Sequence, residues 1–207
     1  MPAKSRPGRP RALDDDAERR LLLDAGYRVM RQNGFEDASV GDVLAEAGLS
    51  TRAFYRHFAS KDDLVLAMSR RDAARIAARI DERLETAATS IDALHAWVDE
   101  VLAIAYEPRR AARVGVLAAA STRRATGYTA EAARWIESLI APLRTVLQRG
   151  RVDGSMPGAD PAHDAPSIYA ITWAAAESRL HGDTTLDRAA ATAHVLRFCR
   201  SALGIAP

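Results

Sequence analysis

Cysteine is almost missing. Cys199 is the only one in 207 residues, so an internal disulfide framework is excluded and the chain suits a reducing compartment. No apolar run approaches the roughly 18 residues a membrane-spanning helix needs. The N-terminus lacks the apolar core of a secretory signal, and together these two absences predict a cytoplasmic protein with no membrane partner. Aromatic residues reach only 6% and the net charge is only +2, too little to imply nucleic-acid binding by itself. No internal repeat of about 20–50 residues and no strand-like alternation are found. What remains, 48% hydrophobic and 27% charged residues, is the composition of an ordinary globular protein with one large or two small domains.

The signatures of catalysis are missing as well. There is no G-x-S-x-G turn, no Walker loop and no G-x-G-x-x-G. The five histidines, His57, His95, His163, His181 and His194, form no H-x-x-x-H, H-x-x-E-H or E-x-x-H pair. Glu177 and His181 are four apart on one helix face, which reads as a surface hydrogen bond before a metal or acid–base pair. Cys199, beside Phe198 and near Leu196, reads as a buried inert thiol. The sequence therefore predicts no catalytic residues, no metal site and no cofactor.

What is present is concentrated between Ser39 and Leu64, SVGDVLAEAGLSTRAFYRHFASKDDL. Ser39 and Asp42 have capping-box spacing, and Val40, Val43, Leu44 and Ala47 make one apolar helical stripe. Gly48 can take the left-handed conformation that stops a helix. Ser50 caps the next helix, with Leu49 and Phe54 at the positions of a hydrophobic staple. A short helix, a glycine turn and a second helix is the build of a helix-turn-helix. Phe54 and Phe58 anchor one face of the second helix. Thr51, Arg52, Tyr55, Arg56 and His57 fill most of the other, a surface suited to phosphates and major-groove base edges.

At these residues the chain resembles the TetR family of one-component transcriptional repressors. The shared pattern is A-x-A-G-[VL]-S, four variable residues, Y-x-H-F and K-x-x-L, carried here by Ala45 to Ser50, Tyr55 to Phe58 and Lys61 to Leu64. The run from Ala25 to Gly34-Phe35 is similar to the end of that family's first helix, with one departure: Gly26 stands where alanine is usual. The signature covers roughly the first third of the chain.

Around this motif the pattern is helical throughout. Asp14 to Asp16 begin a first helix with Leu22, Ala25, Val29 and Met30 as its core stripe. Ser60 and Asp63 start a long fourth helix to about Ala88; Leu64, Met68, Ile76 and Ile80 are its buried side, and Arg70, Arg71, Arg75, Arg79 and Arg83 are expected mostly to face water. A helix follows over 91–106, another from Pro108 to near Ala120, and another over 129–149 with Trp135, Ile136, Leu139, Ile140, Leu143 and Leu147 inside and a kink at Pro142. Residues 150–161 read as a loop, and 162–181 and 185–203 as a final alanine-rich helix pair. The expected fold is all-α: a three-helix helix-turn-helix domain and a C-terminal helical bundle, about nine helices in total. The expected domains are a disordered basic arm at 1–13, a DNA-binding domain at 14–60, and an effector-binding and dimerisation domain at 61–207.

The arm holds Lys4, Arg6, Arg9 and Arg11 and no acid, with Pro2, Pro7, Gly8 and Pro10 opposing a helix. It reads as a segment that lies along DNA with Arg9 or Arg6 in a minor groove, or else as a solvated tail. Arg52 is the first candidate for a base contact and Arg56 the second, and Tyr55 suits a phosphate or a thymine methyl. Ser39, Thr51, His57 and Lys61 are candidate phosphate contacts, and Ser50 and Ala53 complete the expected interface. The resemblance implies a homodimer through the last two long helices reading a palindromic operator in double-stranded DNA, and a small-molecule effector held among the middle helices. Trp97, Tyr106, Trp135, Tyr169 and Trp173 are candidates to line that cavity, which would suit an apolar or aromatic effector. Ligand-released repression is the leading expectation. A TetR-like activator, or a helical protein-binding scaffold without specific DNA affinity, are the alternatives.

Overall fold

A computed structural model describes residues 14–119 and 122–206; the basic arm at 1–13, with Arg9, lies outside the described residues. Among the described residues the chain is all-α, as expected, with nine α-helices and one 3-10 turn. They are α1 (Asp15–Asp37), α2 (Val40–Ala47), α3 (Thr51–His57), α4 (Lys61–Glu85), α5 (Ser90–Tyr106), α6 (Pro108–Ala118), α7 (Tyr128–Val152), α8 (Pro161–Leu180) and α9 (Arg188–Leu203), with the 3-10 turn at Thr122–Arg124. No helix among them is long and apolar enough to cross a membrane.

Two cores form. The first joins α1 to α3 and the start of α4 through Leu22, Leu23, Val29, Val43, Phe54, Phe58, Leu64 and Met68. The second lies around α5, which is so apolar that Leu94, Trp97, Val98, Val101 and Leu102 are fully buried against α4, α7, α8 and α9. Helix α4 belongs to both, giving Val65 and Met68 to the first and Ile76 and Ile80 to the second. Helix α6 also reaches back, because Leu117 packs into the first core.

Local chemistry explains the boundaries. Asp14 caps α1 by accepting from the Ala17 amide at 2.6 Å. The helical backbone of α1 breaks at Gly34 (φ 78°), a left-handed turn that drops Phe35 into the core. Gly26 has a packing reason: a Cβ there would lie 3.0 Å from Met68 Sδ and 3.2 Å from Leu64 Cδ2, so its absence lets α4 close onto α1.

Several expectations are corrected. The arginines of α4 do not simply face water: Arg70 pairs with Glu131 (2.9 Å), Arg71 with Asp24 (2.7 Å), Arg79 with Glu100 (3.0 Å) and Arg83 with Asp99 (2.8 Å). Their partners sit on α7, α1 and α5, which helical periodicity within α4 cannot reveal. Helix α4 stops at Glu85 and α6 at Ala118. Helix α7 continues through Pro142 to Val152, so the loop after it is shorter than expected. Gly150 lies inside that helix because buried Met156 fills the place of its side chain. Ile136, expected inside, is 38% exposed.

Candidate nucleic-acid interface

Helix α2 is fixed by a complete capping box. Ser39 Oγ accepts from the Asp42 amide at 3.1 Å, and Asp42 Oδ2 accepts from the Ser39 amide at 2.9 Å and from Ser39 Oγ at 2.6 Å. These bonds hold the Asp42 carboxyl below the usual aspartate range. Gly48 (φ 66°) ends the helix, and its amide donates to Leu44 O. Ser50 then caps α3, its Oγ accepting from the Ala53 amide at 3.3 Å.

Helix α3 divides sharply by face. Phe54 and Phe58 are buried, with ring centroids 5.7 Å apart, and hold the helix to the first core. Thr51, Arg52, Tyr55 and Arg56 are exposed, Tyr55 to 59%. Arg52 has no ion-pair partner among the described residues, so its guanidinium fork is available for recognition.

The other expected contacts are engaged within the molecule. Arg56 Nη2 donates to Glu18 on α1, and its Nη1 lies 3.6 Å from Asp15. His57 Nε2 is 3.2 Å from the same Glu18 carboxylate, and its side chain is nearly buried. Lys61 Nζ donates to the carbonyls of Phe35 (2.7 Å) and Ala38 (2.9 Å) and sits 4.3 Å above the Phe35 ring. Ser39 and Ser50 spend their side chains on caps, and Ala53 is buried beneath the helix. The structure thus brings Thr51, Arg52 and Tyr55 together as an open surface, with Arg56 beside them on a tether. Sequence reasoning missed Glu18. Its only signal was an acid in the first turn of α1, which helix-dipole stabilisation already accounted for. Asp15, Glu18 and His57 lie close enough to share a cation, and the Arg56 guanidinium is already there.

The candidate effector aromatics separate into three places. Trp135, Tyr169 and Trp173 line a cavity of about 620 Å³ between α6, α7 and α8. Trp135 meets Trp173 edge-on at 5.6 Å, and Tyr169 stacks on Trp173 at 6.2 Å. Burial, helped by the Glu177 charge, pushes the Tyr169 hydroxyl up to about 12. Trp135 Nε1 is buried with no hydrogen-bond partner among the described residues. Trp97 is not on this wall: it is fully buried in the second core and donates to Leu139 O at 2.9 Å. Tyr106 is also elsewhere, donating to Leu186 O at 3.0 Å under the Arg179 guanidinium. Glu177 and His181 form no side-chain pair; His181 Nδ1 lies 2.9 Å from the Glu177 carbonyl. Cys199 is buried, which pushes its thiol up to about 11.

On the outer side of α8 and α9, Ile171 and Phe198 are 41% and 52% exposed. With Ala174 and Leu186 they edge a groove between the two helices.

Comparison with known proteins agrees with this geometry. Residues 22–68 match the model of bacterial regulatory proteins of the tetR family. The HTH-type transcriptional repressor AcnR of Corynebacterium efficiens is 36% identical over 64 residues, 31% of this chain and 34% of that protein. The chain spans about a third of the length of the curated relatives it matches first. A TetR transcription regulator from Haloarcula marismortui superposes with a TM-score of 0.77 at 20% identity, covering 90% of this chain and 98% of that one. FadR from Bacillus subtilis in complex with stearoyl-CoA superposes with a TM-score of 0.75 at 17% identity, covering 88% and 98%. At these identities the two structures speak for the fold.

Proposed function

Through its helix-turn-helix domain the chain belongs to the TetR family of bacterial regulatory proteins, and from that premise we propose that it is a cytoplasmic, ligand-released repressor that binds operator DNA as a homodimer. The observation that carries this reading is the open Thr51–Arg52–Tyr55 face held over buried Phe54 and Phe58. Such a helix enters a major groove with its N-terminal residues on the base edges. Arg52 is the base-reading residue, bidentate to guanine O6 and N7, and Tyr55 contacts a phosphate or a thymine methyl. Residues 14–60 read DNA, residues 61–207 hold the effector and the partner, and Arg9 of the basic arm enters the minor groove.

The partner is a second copy seated on α8 and α9. Exposed Ile171 and Phe198 support this, with the small Ala170, Ala174, Ala190 and Ala193 that allow close helix approach. Two copies related by a twofold axis read two half-sites about one helical turn, or a small multiple, apart.

The effector lies in the α6–α7–α8 cavity against Trp135, Tyr169 and Trp173, and is apolar or aromatic. The stearoyl chain named for the FadR complex is apolar too, which is in keeping with this choice. Binding there favours a state with the wrong half-site separation, a coupling typically worth about 1–3 kcal/mol.

Electrophoretic mobility of DNA from immediately upstream of the encoding gene, with and without candidate effectors, tests the reading. A sharp, sequence-selective shift that an effector releases is expected. Weak binding insensitive to both sequence and salt would instead make the helix-turn-helix a protein-binding scaffold.

A further inference from the structure

We infer that the arginine-lined groove between α4 and α6 is a binding site for a small phosphorylated molecule, with a diphosphate as the minimal group it recognises. A cavity of about 430 Å³ there is lined by Arg75, Arg79, Arg109, Arg110 and Arg113, with Ile76 and Val114 as part of its apolar wall. On the α1 side of α6 a neighbouring cavity of about 550 Å³ shares Arg109 and Arg113 and adds Arg28 and Arg31. Helices α4 and α6, linked by the Arg113–Asp72 pair, thus present one cationic surface beside the place where α6 packs on α1.

Ion pairing within the protein does not account for this surface. Asp72, Glu100 and Glu107 are the acids that pair with four of the five arginines of the first cavity, Arg75, Arg79, Arg110 and Arg113. Asp72 and Glu100 are buried, so they form a floor. Asp72 is held by Arg113 (3.2 Å) and by the Tyr27 hydroxyl (2.6 Å), and Glu100 by Arg79 (3.0 Å) and Arg110 (2.6 Å). Glu100 also serves Arg83, and Glu107 also serves Arg188. In the second cavity Asp24 is taken by Arg71 and Arg28 by Glu46. Above the floor Arg75 and Arg79 remain about half exposed, and a guanidinium that uses one N–H on the floor keeps others for the mouth.

Three further observations point outward to an anion. Arg109 is exposed and has no ion-pair or hydrogen-bond partner among the described residues, although it lines both cavities. Arg110 Nη2 is buried and without a partner there. Helix α6 starts at Pro108 with no side-chain cap, and Pro108 and Arg109 of its first turn line the second cavity. Pro108 has no N–H and the amides of Arg110 and Ala111 donate to Glu107 O, so the Arg109 amide is the one left open in this turn. The positive end of a helix favours a phosphate, and paired arginines bind phosphate oxygens bidentately. A group with two linked phosphates can span from Arg75 and Arg79 on α4 to Arg109 and Arg113 on α6. Bound there, it ties α6 to the helix that runs on into the first core.

Isothermal titration of the full chain without DNA, at low ionic strength, tests this with inorganic pyrophosphate, ADP and adenosine as separate titrants. Pyrophosphate and ADP should each bind one per chain, and adenosine should not bind. Arg109→Gln combined with Arg75→Gln should weaken pyrophosphate at least tenfold. Arg144→Gln on α7, which removes an exposed charge far along the chain, should leave it unchanged. Arg109 has no partner to lose, so the single Arg109→Gln variant should keep its melting temperature and still weaken binding several-fold. No saturable pyrophosphate binding, equal binding by the variants, or displacement by any DNA duplex in proportion to its phosphates would each overturn the assignment. Because DNA is left out of the titration itself, failure there leaves the DNA-reading role of α3 standing, and loss of DNA binding would leave this site standing.

Discussion

Glu18 Oε2 lies 3.2 Å from His57 Nε2 and accepts a hydrogen bond from Arg56, so one carboxylate on α1 holds the last two residues of α3. The tether fixes the end of α3 and, in the proposed complex, would compete with DNA for Arg56. Glu18→Gln should therefore release Arg56. Affinity for non-specific duplex should rise and the salt slope of log K should steepen by about 1. Filter binding across a salt series reads both, and an unchanged slope would show that Arg56 reaches no phosphate even when free.

Arg52 is the exposed arginine of α3 that carries no such tether. Arg52→Ala should cost about 1–3 kcal/mol at one operator position and relax preference there. Arg56→Ala should cost less at base level, because that guanidinium is already spent on Glu18 and Asp15. Binding to an operator library with each base varied separates the two; a loss spread evenly over all sequences would reassign Arg52 to the phosphate backbone.

The groove edged by Ile171 and Phe198 gives a test of assembly. Phe198→Glu places a charge where a second copy would bury an aromatic ring, and should convert the proposed dimer to monomer at micromolar concentration. Sedimentation velocity checks it, and a variant that stays dimeric would place the interface elsewhere. In the monomer, operator affinity should fall together with dimer content.

Gly150→Ala tests the second core. The new Cβ would lie 2.7 Å from Met156 Sδ and 2.8 Å from its Cγ, and Met156 is fully buried. Overpacking of this kind costs about 1–3 kcal/mol. Gly26→Ala is the milder comparison: both glycines lie inside helices and regain about 1 kcal/mol of helix propensity, but the approach to Met68 is 3.0 Å and not 2.7 Å. Chemical denaturation should therefore rank Gly150→Ala as the more destabilising of the two.

The Asp42 capping box adds a pH dependence at the acid end. Its carboxyl is held down by Ser39, so its stabilisation of α2 is present above the unfolded value of about 3.9 and lost as pH falls through the lower folded value. The protection of the Ser39 amide relative to its intrinsic exchange rate should fall over that acid window in the native chain. In Asp42→Ala, which removes the acceptor, that protection should already be low at neutral pH and show no such step.

How much of this was legible beforehand depends on the range of the interaction. Ser39, Asp42, Gly48 and Ser50 act on residues two to four positions away, so caps and turns were readable and the helix-turn-helix followed. The apolar stripes of α1 and α4 were equally local. Glu18 and Arg56 are 38 residues apart, and Arg70 and Glu131 are 61 apart. No periodicity within one helix encodes such pairs, so the exposure of Arg70, Arg75 and Arg79 was legible and their partners were not. The aromatic set divides for a related reason: Trp97 and Trp135 look alike in sequence, and only the apposition of α7 buries the first and leaves the second beside a cavity.

Lys61 carries one last consequence. Its ammonium donates to the carbonyls of Phe35 and Ala38, so the first residue of α4 is riveted to the segment that ends α1. The start of α4 is thereby tied to the first core. At 25 residues and a rise of about 1.5 Å each, α4 is a rod of about 37 Å, and turning it by about 5° about its far end swings its near end by about 3 Å. In a twofold dimer both rods swing, changing the spacing of the two heads by about 6 Å against a groove repeat of about 34 Å. The gearing is high enough that an effector need displace its own pocket by only a fraction of that distance.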